Sequence, residues 1–365
     1  MIIGILGGGQ LGRMLALAGI PLGMRFRFLD PGPDCPSRHL GEFIQAQYDD
    51  EHALDRFVKG VDVVTYEFEN VPAKAARWLT DHLPVFPPEG ALATAQDRLA
   101  EKSLFTQLGI ATPPHRPVDT LDDLLAAADA LGIPCILKTR RMGYDGKGQF
   151  VIRSDDDVLK AWNTIGRGRG DRADLILEAF IPFQRELSMI GVRARDGATA
   201  FYPPIENVHA NGILARSTAP APHCDANTRQ ALEHAVGAIM QRLDYVGVLT
   251  VEFFDLGNGQ ILANEMAPRV HNSGHWTIEG ADCSQFENHL RAVAGLPLGS
   301  TTARGQSIML NIIGAQPDTT RLLSLPGTHL HMYGKSPRPG RKLGHITVCD
   351  NPKTAESAAA LLHNC

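Results

Sequence analysis

The stretch GVLTVEFFDLGNGQILANE, residues 247–265, reads as two apolar runs joined by Asn258-Gly259. That dipeptide between β-like segments is the strongest short-range signal for a hairpin. If Asn258 and Gly259 form a two-residue turn, Glu252 lies directly opposite Glu265. Cβ atoms so paired stand about 4.5 to 5.5 Å apart, where like charges repel. Both glutamates also sit among Phe253, Phe254, Leu262 and Met266. A cation resolves the conflict: magnesium takes oxygen ligands, keeps waters and bridges one or two carboxylates to phosphates. Glu252, Glu265 and the adjacent Asn264 amide are therefore candidate metal ligands. A one-residue slip would separate the pair, and a solvated strand face is the other reading.

Directly after the hairpin comes APRVHNSGH, residues 267–275. Arg269 offers a planar fork for a carboxylate, bicarbonate or phosphoryl group, while His271, Asn272 and His275 add hydrogen-bonding capacity. A hundred residues upstream, KTRRMGYDGKGQ (138–149) joins two short strands. Its three glycines let backbone approach a ligand closely, and Lys138, Arg140, Arg141 and Lys147 supply charge for a polyphosphate. The Walker pattern is missing because Gly148 is followed by Gln149, so a P-loop fold is disfavoured. No H-E-x-x-H, Cys-His zinc spacing or G-x-S-x-G occurs, which leaves zinc hydrolysis and a serine nucleophile elbow without support.

At the N-terminus, GGGQLG (7–12) lies between a β-like run, residues 2–6, and a helix-like one, residues 11–18, with Asp30 ending the next strand. This meets the G-x-G-x-x-G dinucleotide fingerprint, although helix N-terminal amides hold any phosphate, and a ligand-free turn remains open. Strand-helix alternation over the first hundred residues suggests a parallel sheet. A break at 84–90 precedes one helical stretch, residues 91–108. From Pro134 the pattern becomes α+β and mostly antiparallel. Three domains are expected: an α/β unit at 1–100, a central unit at 101–294 and a small C-terminal unit at 295–365.

Composition narrows the classes. The 365 residues carry 44% hydrophobic side chains and a net charge of -5, without the basic surface that nucleic-acid binding needs. Six scattered cysteines with no C-x-x-C pair read as reduced thiols. No run approaches the ~20 apolar residues of a membrane span, and no signal peptide is evident. A cytoplasmic protein is expected.

Taken in order, the strand lysine, the glycine flap and Glu252 with Asn264, Glu265 and Arg269 resemble the ATP-grasp ligases. More narrowly, GGGQLGRM (7–14), TYEFENVP (65–72), GYDGKGQ (143–149), APRVHNSGH (267–275) and RPGRKLGH (338–345) resemble the N5-carboxyaminoimidazole ribonucleotide synthetases. The resemblance runs from residue 2 to about 350. It implies an ATP-grasp fold with a Rossmann-like N-terminal domain. It also implies a reaction in which ATP and bicarbonate form carboxyphosphate, which carboxylates aminoimidazole ribonucleotide in purine biosynthesis.

By the same resemblance, Arg98, Lys138 and the flap residues Gly143, Tyr144, Asp145, Gly146, Lys147, Gly148 and Gln149 hold the ATP phosphates. Glu178, Ala179, Phe180 and Ile181 read adenine, Glu186 takes the ribose, and His209 and Asn264 complete the nucleotide site. Glu252 and Glu265 bind Mg2+. Arg269, His271 and Asn272 face bicarbonate, and Gly9, Gln10, Leu11, Glu69, Lys335 and Arg341 gather the ribonucleotide. Tyr144, Asp145, Lys147 and Lys342 sit where amine meets carboxyl, with Asp145 and Lys342 handling protons. A homodimer is also implied. Three rival readings stay open: an ATP-grasp ligase acting on another acid or amine, an NAD-dependent oxidoreductase built on Gly7 to Gly12 and Asp30, and a nucleotide-binding regulator without catalysis.

Overall fold

The computed structural model of the chain describes residues 1–143, 147–166 and 172–363. The first strands are β1 Ile2–Leu6, β2 Arg25–Asp30, β3 Glu42–Gln45 and β4 Val63–Tyr66, interleaved with helices α1 Gln10–Gly19, α2 Glu51–Val58 and α3 Ala73–Thr80. They form an all-parallel sheet in the order β3-β2-β1-β4. The continuous apolar run of β1 follows from this, since Ile3, Ile5 and Leu6 are fully buried and helices cover both faces.

The single helix expected over 91–108 is instead two, α4 Glu89–Ala95 and α5 Arg98–Gln107. Asp97 breaks it: its backbone is extended, and its side chain accepts from the N–H groups of Leu99 and Ala100. Aspartate satisfies a helix start better than it tolerates a helix interior, and this restart sets Arg98 at the first turn of α5.

Next come β5 His115–Val118, α6 Leu121–Leu131, β6 Cys135–Thr139, β7 Gln149–Ile152, α7 Asp155–Ala161 and β8 Leu175–Ala179, giving an antiparallel sheet ordered β5-β8-β6-β7. The chain continues through β9 Arg185–Arg193, β10 Thr199–Phe201, β11 Ile205–Ala210, β12 Ile213–Ala219, α8 Ala226–Arg242, β13 Gly247–Asp255, β14 Ile261–Ala267, α9 Thr277–Gly280 and α10 Gln285–Ala294. It closes with β15 Ser307–Ile313, α11 Thr319–Leu323, β16 Thr328–Met332, β17 Lys342–Cys349 and α12 Pro352–His363. Strands β9 to β17 make one nine-stranded sheet ordered β14-β13-β9-β11-β12-β15-β17-β16, with β10 beside β9. The segment after residue 295 has its own core, where Leu310, Ile346 and Val348 pack with Ala355 and Ala358 of α12, yet β15 pairs with β12 and extends the central sheet.

Alternation along β13 positions the site. Leu249, Val251 and Phe253 pack into the core with Val236 and Ile239 of α8 and Leu104 and Phe105 of α5, leaving Glu252 and Phe254 for the opposite face. On β6, Cys135 and Leu137 are buried in the core of the smaller sheet, while Ile136 and Lys138 turn towards the large one. Among the described residues no helix is long and apolar enough to cross a membrane.

Candidate active site

The expected pair forms, by a route the sequence did not show. Glu252 opposes Glu265, but Phe253 opposes Ala263 and Asp255 opposes Ile261, so Asn264 is one residue too many on β14. The turn is also longer than two residues: Leu256 N–H donates to Gln260 O at 3.0 Å, leaving Gly257, Asn258 and Gly259 as a three-residue loop. Gly257 and Gly259 both have left-handed φ, +77° and +79°. The odd residue in the loop and the extra residue in the bulge compensate, which restores the Glu252–Glu265 register. The bulge adds something the simple hairpin lacked, because Asn264 and Glu265, consecutive in sequence, both line the cleft.

That cleft lies between the two antiparallel sheets and encloses about 290 Å3. One wall carries Lys138, Lys147, Gln149 and Arg98, and the other carries Glu186, His209, Glu252, Asn264, Glu265, His271, Asn272 and Lys342. Ile136, Leu214, Phe183 and Phe254 add an apolar side that the sequence reading missed; the last two rings stack at 4.7 Å with planes 9° apart. Tyr144, Asp145 and Gly146 lie outside the described residues.

Electrostatics divide the carboxylate pair. Burial and the charge of Glu265 push the Glu252 carboxyl up to about 7, against His209 and Lys342. Burial acts on Glu265 as well, but Arg98, Lys138 and Lys102 outweigh it and hold its carboxyl below the ordinary range. Arg98 Nη1 stands 2.9 Å from Glu265 Oε2. The metal expectation has an independent mark: Asn264 Oδ1 is buried without a hydrogen-bond partner among the described residues. An orphaned oxygen beside two carboxylates suits a hard cation that takes oxygen ligands.

Several expected site residues have partners within the protein. Glu178 pairs with Ile136 and so shares the cleft-facing side of the sheet, but it is buried beside Lys138, with Oε2 2.8 Å from Lys138 Nζ and Oε1 3.4 Å from Lys102 Nζ. Burial opposes its charge, but Lys138 and Lys102 hold its carboxyl down to about 2. Its place in the strand pattern is that of a counter-ion for the cleft-lining Lys138. The N–H groups of Ala179 and Phe180 donate to Pro114 O and Pro134 O. Arg140 grips Asp97 with a two-point fork at 3.1 and 2.7 Å, and Arg141 stands 3.3 Å from the same carboxylate. Those arginines tie the flap to the cap of α5. Glu186 and His209, by contrast, meet in the cleft at 2.5 Å.

A second cavity of about 370 Å3 adjoins the first and is lined by Gln10, Leu11, Glu67, Glu69, Asn70, Arg269 and Lys342. Glu265, His271, Asn272 and Lys342 line both. Arg269 Nε donates to Glu69 Oε2, and Lys335 Nζ to Gln10 Oε1. Burial pushes the Lys335 ammonium down to about 8 against the pull of Glu67, with Arg341, Lys342 and Arg338 adding repulsion. Such a crowd of cations is suited to an anionic group. Burial, with Arg269 and Lys342 nearby, keeps the His271 imidazole well below its usual pKa and hence neutral. His275 lines neither cavity; it is fully buried against Phe286 and His345.

The N-terminal glycine turn is not a dinucleotide seat. Gly9 N–H donates to Glu67 Oε1 at 2.5 Å and Gly12 N–H to Oε2 at 2.7 Å, so the start of α1 is filled by the protein's own carboxylate. A Cβ on Gly9 would collide with that carboxylate. Asp30, the acidic residue of that fingerprint, takes the N–H groups of Gly8 and Gly32 and the Tyr48 hydroxyl. Glu67 is a residue the sequence analysis misses; its place two residues before Glu69, at a strand end facing the glycines, is the signal that could have found it.

A cationic wall facing opposed carboxylates across a cleft between two antiparallel sheets defines the ATP-grasp class, and residues 103–286 match the ATP-grasp domain family. Residues 1–96 match the ribonucleotide synthetase preATP-grasp domain and 307–359 the phosphoribosylaminoimidazole carboxylase C-terminal domain. The N5-carboxyaminoimidazole ribonucleotide synthase of Pseudomonas aeruginosa is 53% identical over 362 residues, covering 99% of this chain and 98% of that protein. The crystal structure of N5-carboxyaminoimidazole ribonucleotide synthetase from Thermus thermophilus superposes with a TM-score of 0.93 at 54% identity, over 99% of this chain and 98% of that one. The Aspergillus clavatus enzyme in complex with ADP and 5-aminoimidazole ribonucleotide superposes with a TM-score of 0.91 at 33% identity, over 100% and 99% of the two chains. The chain belongs to the N5-carboxyaminoimidazole ribonucleotide synthase family of ATP-grasp ligases.

Proposed function

We propose that the chain joins bicarbonate to the exocyclic amine of 5-aminoimidazole ribonucleotide, converting ATP to ADP and phosphate and passing through carboxyphosphate. The observation that carries this reading is the pair of adjoining cavities with Glu265, His271, Asn272 and Lys342 in their common wall. A two-stage ligation needs that layout: one chamber for the nucleotide, one for the ribonucleotide, and a shared partition where an activated acid passes between them. Bicarbonate is a poor electrophile, and phosphorylation provides a leaving group. The protein's share is positioning, charge stabilisation and exclusion of water.

In this reading Lys138, held forward by Glu178, contacts the ATP phosphates together with Lys147, Gln149 and Arg98. Glu186 and His209 take the ribose hydroxyls, and the apolar side formed by Ile136, Phe183 and Phe254 receives the adenine. Glu252, Glu265 and Asn264 hold Mg2+, which when bound neutralises developing phosphate charge. Arg269 and Asn272 orient bicarbonate, and the neutral His271 can accept a hydrogen bond without adding charge. Lys335 and Arg341 meet the ribonucleotide phosphate, Gln10, Leu11 and Glu69 its remaining groups, and Lys342 the proton released from the amine. The proposed assembly is a homodimer, resting on the family resemblance, and the proposed compartment the cytoplasm, resting on the scattered cysteines.

ADP release measured with and without each co-substrate tests the reaction. Release should require both bicarbonate and the ribonucleotide for full rate. ATP turnover indifferent to bicarbonate would overturn the reading, and activity with a different amine in a substrate panel would redirect it.

The metal assignment predicts a pH dependence. With its carboxyl pushed up to about 7, Glu252 gains a proton on acidification and then cannot serve as an anionic ligand. By the same sign, the metal-free fold gains stability from this group at low pH and loses it as the pH rises through about 7. The magnesium concentration that half-saturates nucleotide binding should therefore rise about tenfold between pH 8 and pH 6. Glu252→Gln should flatten that dependence; an unchanged slope in the variant would remove Glu252 from the metal site.

A further inference from the structure

Strand β14 is the edge of the nine-stranded sheet, so its outward N–H and C=O groups have no neighbouring strand. Helix α5 and the segment after it take that place. Ala263 N–H donates to Ala111 O at 2.8 Å, Lys102 Nζ donates to Asn264 O at 3.2 Å, Arg98 Nη1 to Glu265 Oε2 at 2.9 Å, and Met266 N–H to Glu101 Oε1 at 2.6 Å. Arg98, Glu101 and Lys102 recur at helical spacing on one face of α5, and between them they contact residues 264, 265 and 266 one by one. Those are the bulge and its two flanking residues on the C-terminal side. Lys102 is fully buried and Glu101 nearly so, and an ionisable group is placed there only when its partners are specific.

We propose that Glu101 and Lys102 are positioning residues for the metal–phosphate site. They pin the backbone of the bulge from behind, so that Asn264 and Glu265 both present oxygen to the cleft, and Lys102 also steadies Glu178, the partner of Lys138. This rests on the reading of Asn264 and Glu265 as metal and nucleotide contacts. A bulge without such support relaxes to regular pairing, and in a strand a one-residue shift turns every shifted side chain to the other face.

Two experiments on the full-length protein test this. In the wild type, amide hydrogen exchange over residues 261–267 should be slow without ligand and little changed by MgADP, because α5 already holds the segment. Fast exchange that slows only with MgADP would mean that the ligand forms the bulge and would overturn the proposal. For Lys102→Met, calorimetric ADP binding should need about tenfold more magnesium for half-saturation, the size typical of lost support behind a metal ligand. Binding of aminoimidazole ribonucleotide should stay within about twofold, whereas a general loss of structure would weaken both. Glu265→Ala separates the two layers of inference. If that variant also leaves magnesium-dependent ADP binding intact, the site assignment fails. If it abolishes the dependence while folded Lys102→Met behaves as wild type, only the positioning role fails.

Discussion

Glu265→Ala should lower the rate of ADP release by about a thousandfold, or ~4 kcal/mol of transition-state stabilisation, the scale on which metal ions act in phosphoryl transfer. Two losses combine. The variant removes an oxygen that the proposed metal site needs, and it frees Arg98, whose guanidinium now stands 2.9 Å from that carboxylate. Glu265→Gln should recover part of the rate, since it keeps an oxygen but not the charge. The affinity for aminoimidazole ribonucleotide should change far less, because Gln10, Leu11 and Glu69 line the second cavity from the N-terminal domain. Steady-state rates at saturating magnesium decide this, and an alanine variant within tenfold of wild type would sink the metal assignment.

The second large effect concerns Arg269. Arg269→Met should remove about two to three orders of magnitude in rate, as loss of a charge that stabilises developing negative charge does. It should also destabilise the fold, because Glu69 would be left partly buried without its partner. Breaking a fully buried pair costs about 3–5 kcal/mol, and the 24% exposure of the Glu69 side chain argues for the lower end or less. The double variant Glu69→Gln/Arg269→Met should regain most of the stability and none of the activity. Arg269 outweighs burial and holds the Glu69 carboxyl below the usual range, so the pair contributes above the unfolded carboxylate pKa and is lost on acidification. The stability gap between wild type and Arg269→Met should accordingly narrow as the pH falls through the carboxylate range. Urea unfolding at several pH values measures it, and a gap that widened would refute the pairing.

Several side chains assigned to substrates are paired with one another: Arg269 with Glu69, Gln10 with Lys335, Glu265 with Arg98 and His209 with Glu186. Pairing of this kind stabilises buried charged groups, and a ligand that binds one of them must replace its partner.

Local patterns carried the sequence reading furthest. The β1 run, the α1 helix and the strands of the flap and hairpin follow from periodicity and turn residues, which depend only on neighbours in the chain. The Glu252–Glu265 contact was also legible, although the two-residue turn assumed for it was wrong, because the loop and the bulge each added one residue. Propensity misled at 91–108, where every segment looked helical but Asp97 satisfied two N–H groups as a cap and ended the helix early. The glycine turn misled in a different way: a phosphate and a carboxylate ask the same thing of a helix N-terminus, and only the position of Glu67, 58 residues after Gly9, decided which one fills it.

What the chain determined alone was the alternation that builds each sheet, the paired glutamates, the absence of a Walker loop and the five ordered motifs that place it in its family. Contacts between residues distant in sequence were decided only by the tertiary structure. Those include Lys138 and Lys102 meeting on Glu178, Arg269 meeting Glu69, and α5 covering the edge of β14 to hold Asn264 and Glu265 towards the cleft. The reason is that each is an electrostatic pairing between buried groups, and its partner is whichever opposite charge the packed layers bring within reach.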